Sequence, residues 1–403
     1  MGSGQDVVIS VGEYLQLQYR KLHESEAYLA PGEWERRSRL VTIKVTDFEF
    51  EALSSLADLL QPDYDIRRFN MTLADRALMP SGRLGTLRTM SHYLGLKPKL
   101  QDQLSDGNPV LWVNISSQPS GHWRDLLTVM PCLRPAQPLV AVVHWGNFPQ
   151  LFTNGITGIT AKRLIHRLNR VVVLSHELAR QVARWVPADK LLVIPNYVRP
   201  LATEDELRIK RQNHSSSKIL RVLFLSHMIK EKGCYDLLHG VSIAVKQGLS
   251  VEAHFAGRWN DNRDEGRFHR AIIQLGLTKC ITVHGPISDR ALVAKLHRKA
   301  DVFALPSVLH YEAQPLAIME ALSTATPVII TKRPVLEALV GTEQGAFLVP
   351  PHNPDAIAKA LQSLSDEKTW LNCSVAVRRH YETAYSPEAV RQLWINLIED
   401  LST

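Results

Sequence analysis

The chain is 403 residues long, 45% hydrophobic and 22% charged, with a formal net charge of +7. That length suggests two to three domains, each able to bury its own core without stapling. The four cysteines, Cys132, Cys234, Cys280 and Cys373, are widely separated and show no paired spacing, which argues for reduced thiols and against a disulfide framework or a zinc site. No apolar run approaches the ~18 residues needed to span a bilayer. Met1-Gly-Ser-Gly-Gln-Asp6 also lacks the basic-then-apolar order of a leader, so the chain reads as water-soluble and cytoplasmic.

Apolar β-rich runs alternate with helical segments, which indicates α/β layers on parallel sheets. In the first half the expected strands are Asp6–Val11, Leu40–Val45, Val110–Ile115, Leu139–His144, Arg170–Leu174 and Leu191–Pro195. The first ends in Val11-Gly-Glu-Tyr14, whose single Gly12 is the only glycine of that turn. Asp63-Tyr-Asp65 has the Asp-x-Asp form of some metal sites, yet it precedes Ile66-Arg-Arg-Phe69 and reads as a strand edge, so no metal ligands are assigned. Arg67 to Lys99 holds seven Lys/Arg against Asp75 alone, interleaved with apolar residues such as Leu84, Leu87 and Leu94. Such a stretch suits either an anionic membrane face or a solvated helical face. No nucleic-acid motif accompanies the charge. Leu139-Val-Ala-Val-Val-His-Trp-Gly-Asn-Phe148 places His144 at the carboxyl edge of a strand, where open α/β sheets bind ligands.

The polar stretch 202–218, ending Asn213-His-Ser-Ser-Ser-Lys218, reads as a linker. It gives boundaries of 1–200 for an N-terminal domain, 201–218 for the linker and 219–385 for a second domain. Strands in that second half are expected at Leu220–Leu225, Val251–Ala256, Ile281–His284, Val302–Leu305, Val328–Ile330 and Ala346–Val349, with helices at Tyr235–Lys246 and Arg290–Lys299. Phe224-Leu-Ser-His-Met-Ile-Lys-Glu-Lys-Gly233 leaves a strand and enters a helix, a setting in which Lys232 can hold a diphosphate with help from backbone amides. Asp261-Asn-Arg-Asp-Glu265 lacks the spacing of a calcium loop and reads as a solvated turn. Ser386 as N-cap, Pro387 in the first turn and the stripe Val390, Leu393, Trp394, Leu397 and Ile398 specify a final helix over 386–403.

The most informative segment is Tyr311-Glu-Ala-Gln-Pro-Leu-Ala-Ile-Met-Glu-Ala-Leu322, after the strand Val302–Leu305 and the turn Pro306-Ser307. Pro315 fits a first helical turn, so Glu312 lies just before the helix and Glu320 one to two turns inside it. Free amides and the helix dipole favour a phosphate, and a carboxylate accepts from paired hydroxyls, which is the chemistry of a nucleotide-sugar cradle.

This spacing resembles the E-x7-E signature of the family 4 retaining glycosyltransferases, over most of the second half and thinly in the first. The resemblance implies an α/β fold of two Rossmann-like domains facing a cleft (GT-B), the final helix crossing back to the N-terminal domain. It implies a hexose moved from a UDP- or GDP-type nucleotide sugar to a hydroxyl of a saccharide or lipid-linked acceptor, without metal or other cofactor; the basic stretch Arg67 to Lys99 would set such an enzyme at the inner face of a membrane. Glu312, His144 and Lys232 become the catalytic residues, with Glu312 on the transferred sugar. Glu320 becomes the ribose ligand, and Lys232, His227, Ala313, Gln314, Pro315, Leu316 and Gly12 the rest of the donor site. Three departures stand out. His227 occupies the place of an arginine, Ala313 and Ala325 replace glycines, and the first glycine loop is reduced to Gly12. A nucleotide-sugar epimerase of the same fold, or a degenerate glycosyltransferase serving as a binding subunit, fits the same motifs.

Overall fold

The computed structural model describes residues 7–9, 39–44, 59–61, 64–70, 91–105, 109–114, 119–144, 148–153, 155–341 and 345–402. Two compact units emerge, residues 1–194 with 391–403, and residues 195–390.

The first unit carries seven strands: β1 (Val7–Ile9), β2 (Arg39–Lys44), β3 (Asp65–Asn70), β4 (Val110–Asn114), β5 (Leu139–Val143), β6 (Arg170–Val173) and β7 (Leu191–Val193). They lie in the order β1-β3-β2-β4-β5-β6-β7, parallel except where β1 meets β2. All five β5 residues are buried, the pattern of a parallel strand covered on both faces. The Asn169 side chain accepts from Leu139 N at 2.9 Å, pinning β6 to β5. Its described helices are α1 (Lys97–Ser105), α2 (Pro119–Thr128), α3 (Gly155–Arg167) and α4 (His176–Val182). Gly12, Asp63 and residues 71–90 of the basic stretch lie outside the described residues. The two ends of that stretch that are described belong to different elements, Arg67 to β3 and Lys97 and Lys99 to α1. Asp65 opens β3 and pairs with Arg67 at 3.5 Å, as a strand-edge residue would.

The second unit carries β8 (Leu220–Leu225), β9 (Val251–Ala256), β10 (Ile281–Gly285), β11 (Val302–Leu305), β12 (Val328–Thr331) and β13 (Ala346–Val349), in the order β10-β9-β8-β11-β12-β13. Counted from β8 this is 3-2-1-4-5-6, all parallel, the doubly wound order whose ligands sit outside the strand ends where the order reverses, here between β8 and β11. Phe224, Phe255, Phe268 and Phe303 lie fully buried in its core.

The segment expected as a linker is instead helix α5 (Glu204–Ser216) of the second unit, opened by a capping box between Thr203 and Glu206. Its buried face is Leu207, Lys210 and His214, and two of those three are polar, so apolar periodicity cannot reveal it. Their polarity is satisfied in place. Lys210 Nζ donates to Thr324 O at 2.9 Å, Thr326 Oγ1 at 2.5 Å and His297 O at 3.3 Å. His214 stacks on Trp370 at 3.9 Å and meets Asp301 at 3.2 Å. The unit begins earlier still, since Val198 exchanges hydrogen bonds with Tyr381 and Tyr385.

The remaining helices are α6 (Cys234–Lys246), α7 (Asn262–Gln274), α8 (Arg290–Lys299), α9 (Leu316–Ser323), α10 (Pro334–Val340), α11 (Pro354–Leu364), α12 (Glu367–Ala384) and α13 (Pro387–Ser402). Asp261, read as part of a turn, is the N-cap of α7 and accepts from Asp264 N at 2.8 Å. Ser386 caps α13 through Ala389 N. From Arg391 onward α13 belongs to the first unit, where Trp394 stacks on Trp112 of β4 at 4.5 Å and Asp400 pairs with Arg170. Of the two alanines in glycine places, Ala313 keeps an ordinary backbone while Ala325 stands at φ 53°, where a Cβ costs about 1 kcal/mol. Its methyl is buried with Ala202 and Leu207, a gain of similar size.

Burial lowers the Lys210 pKa to about 7, against the pull of Asp301. Between that value and the ordinary 10.5 the unfolded chain holds a proton the native state has shed, so stability rises with pH across this window. Lys210→Met should abolish that rise. Unfolding free energies of both proteins from pH 7 to 10 check it, and parallel curves would refute it.

Candidate functional site

At the reversal point the loops after β8 and β11 are fastened together. Val308 N donates to Glu231 O at 2.7 Å, and Ser307 Oγ lies 3.3 Å from the same oxygen. Between them the chain turns at Gly233, whose φ of +81° is left-handed and whose added Cβ would lie 2.2 Å from Pro306 O. Both constraints exclude a side chain there. The glycine of the Lys-Gly pair is thus a geometric requirement, and the turn it makes sets Lys232 over the β11 loop.

Lys232 Nζ donates to Glu312 Oε1 at 2.6 Å and Oε2 at 2.9 Å, and Ser307 Oγ donates to Oε2 at 2.7 Å. Glu312 is only 8% exposed. The sequence places it just before the helix, and the structure buries it there. Here it balances a largely buried ammonium, because an isolated charge so far from water is costly. Gln314, next in the motif, is held by Asn196 N donating to its Oε1 at 2.7 Å. Pro315 is the N-cap residue of α9, Leu316 the first helical residue, and Ala313 lies buried before them.

Glu320 sits on α9, 4% exposed. Arg290, the first residue of α8, donates to its Oε1 at 2.5 Å, and His297 Nε2 lies 3.4 Å from Oε2, an ion-pair distance and not a well-formed hydrogen bond. Burial alone would raise the Glu320 pKa, but His297 and then Arg290 outweigh it and hold the carboxyl at about 2. The group is therefore a fixed anion. Ser307, Arg290 and His297 have no site role in the sequence reading. The 7-residue spacing of Arg290 and His297 on one helix face is the signal that identifies them.

His227 occupies the loop after β8. Partial burial, then the charges of Lys232 and Arg258, lower its pKa. In the protein alone, burial and the neighbouring cations both disfavour another positive charge there. His144 directly follows β5 in the first unit, and burial lowers its pKa to about 4, so its ring is neutral at physiological pH. Among the described residues no three His, Cys, Asp or Glu side chains are grouped to hold a metal ion, and no helix is long and apolar enough to cross a membrane.

Residues 220–367 match the profile of the family described as Glycosyl transferases group 1. An uncharacterized glycosyltransferase of Methanocaldococcus jannaschii is 26% identical over 198 residues, 47% of this chain and 49% of its own. The MMP α-(1→4)-mannosyltransferase of Mycolicibacterium hassiacum is 26% identical over 245 residues, 57% of each chain. The chain thus spans about half the length of these curated relatives. Anabaena HepE, solved with UDP and glucose, superimposes with a TM-score of 0.64 at 16% identity over 89% of this chain and 98% of its own. Sucrose-phosphate synthase of Thermosynechococcus elongatus does so with a TM-score of 0.63 at 19% identity over 84% of both chains. These likenesses establish the GT-B fold, and each of the two α/β units is built on a largely parallel sheet.

Removing one member of a buried ion pair strands the other, at about 3–5 kcal/mol. Glu312→Ala should destabilise the protein by nearly that much, and adding Lys232→Met should restore part of the loss. Denaturant titrations of both singles and the double check this, and strictly additive losses would refute it. A carboxyl at about pKa 2 instead of 4.5 contributes stability that is present above pH 4.5 and fades as pH falls toward 2. The gap in melting temperature between wild type and Glu320→Gln should therefore shrink from pH 5 to pH 2.5, and a constant gap would count against it.

Proposed function

We propose that this chain is a retaining, metal-independent glycosyltransferase that moves a hexose from a nucleoside-diphosphate sugar to a hydroxyl of a saccharide or lipid-linked acceptor. The observation that carries this reading is the Lys232–Glu312–Ser307 cluster at the β8/β11 reversal point, inside the segment that matches Glycosyl transferases group 1. Two relatives named for mannosyl transfer and for amylovoran biosynthesis support a hexose donor and a polysaccharide pathway, and HepE with UDP and glucose supports a uridine donor. The basic stretch from Arg67 to Lys99 would let the enzyme work against an anionic membrane on the cytoplasmic side.

In this reading Lys232 stabilises the charge that develops on the departing diphosphate, which supplies what a metal supplies elsewhere. Glu312, fixed by Ser307, holds the sugar by accepting from its hydroxyls. Glu320, a permanent anion, accepts from the ribose hydroxyls, and Arg290 shifts outward to admit them. The acceptor hydroxyl attacks the anomeric carbon from the face the diphosphate leaves. As the carbon–oxygen bond to phosphate breaks, the hydroxyl proton passes to the freed phosphate oxygen. His144 takes part as a neutral ring, a hydrogen-bond partner and not a cation.

Incubation with UDP- and GDP-hexoses and a saccharide acceptor in excess EDTA should yield nucleoside diphosphate and a product whose anomeric configuration, read by NMR, matches the donor. Glu312→Gln should lower kcat at least about 100-fold. Inverted product, or activity lost in EDTA and restored by manganese, would overturn retention or metal independence respectively. Conversion of donor without acceptor would point to an epimerase, and donor binding without turnover to a binding subunit.

A further inference from the structure

The loops leaving β8 and β9 run side by side. Ser226 N donates to Ala256 O at 3.0 Å and Met228 N to Arg258 O at 2.9 Å. Between those bonds Gly257 stands at φ +153°, and a Cβ there would lie 1.7 Å from Ser226 O. This close approach leaves the two loops one register, which presents Arg258 beside His227 at the carboxyl end of the sheet. A second sign of their proximity is that the charge of Arg258, like that of Lys232, lowers the His227 pKa.

A charge problem follows for the site. A diphosphate carries several negative charges. Lys232 is already neutralised by Glu312 at 2.6 Å, and His227 is held toward its neutral form. Arg258 differs from both. It is exposed, and its guanidinium has no hydrogen bond or ion pair to any described residue. Its planar fork offers two parallel donors to two oxygens of one phosphate, which an imidazole in that setting does not.

We propose that Arg258 binds the phosphate groups of the nucleotide donor, as the permanently charged partner of Lys232. This rests on the reading of the second unit as a nucleotide-sugar site. Because Arg258 supports no other described group, its replacement leaves the fold intact.

The test titrates UDP and GDP, by calorimetry, into the full-length wild type, Arg258→Gln and Arg258→Lys at pH 7.5 and at two salt concentrations. Arg258→Gln should weaken the diphosphate by about tenfold or more, the worth of one charge-assisted hydrogen-bonding group, and should flatten the salt dependence of Kd. Arg258→Lys, which keeps the charge but not the fork, should fall between the two. If wild type binds a diphosphate and Arg258→Gln binds it within twofold at both salt levels, the role of Arg258 is refuted while the nucleotide-site reading stands. If wild type binds neither UDP nor GDP, that reading falls and Arg258 with it.

Discussion

The contact on which the site depends is the ion pair between Lys232 and Glu312, closed by Ser307. A parallel sheet directs its carboxyl ends to one edge, and the following helices bring their positive N-terminal ends there as well. Such an edge attracts anions, and a buried lysine added to it needs a partner. Glu312 is that partner in the protein alone, and in the proposed complex it serves the sugar while the diphosphate serves the lysine. One carboxylate thus stabilises the fold and, by the proposed exchange, opens the site. The bond geometry is possible only because Gly233 lets the β8 loop press against Pro306 O.

Glu320 solves a similar problem differently. It is buried on α9, where Arg290 from the start of α8 and His297 from near its end hold it ionised. The same two helices are tied at their other ends by Lys210, which takes carbonyls from His297 and Thr324. Its amine thus meets free carbonyls at the C-terminal ends of both helices. The spacing between Glu312 and Glu320 is therefore set by α9, and the orientation of α9 by α5, an element outside the motif.

Departures from the resembled pattern also have local causes. Ala325 occupies a left-handed backbone position, yet its methyl is buried with Ala202 and Leu207, so strain and burial nearly offset. Ala313 needs no glycine because its backbone is ordinary. His227, where the resembled pattern has an arginine, is held toward its neutral form by partial burial and then by the cations around it.

By itself the sequence determined the strands of the second unit, because each is a short apolar run bounded by turns, and β8, β9, β11 and β13 match those runs residue for residue. It determined the place of Glu312 and Glu320 around the start of α9, since Pro315 leaves few alternatives. It determined the last helix too, whose cap and apolar stripe are contiguous in the chain. Only tertiary structure decided which charges meet. Lys232 and Glu312 are 80 positions apart, and no local pattern joins them. The helix at 204–216 stayed hidden because its buried face is Lys210 and His214 beside a single leucine, and polar residues turn inward only where distant carbonyls and carboxylates await them. The protonation of His227 was likewise undecidable from its identity, since a histidine pKa follows the charges that folding places around it.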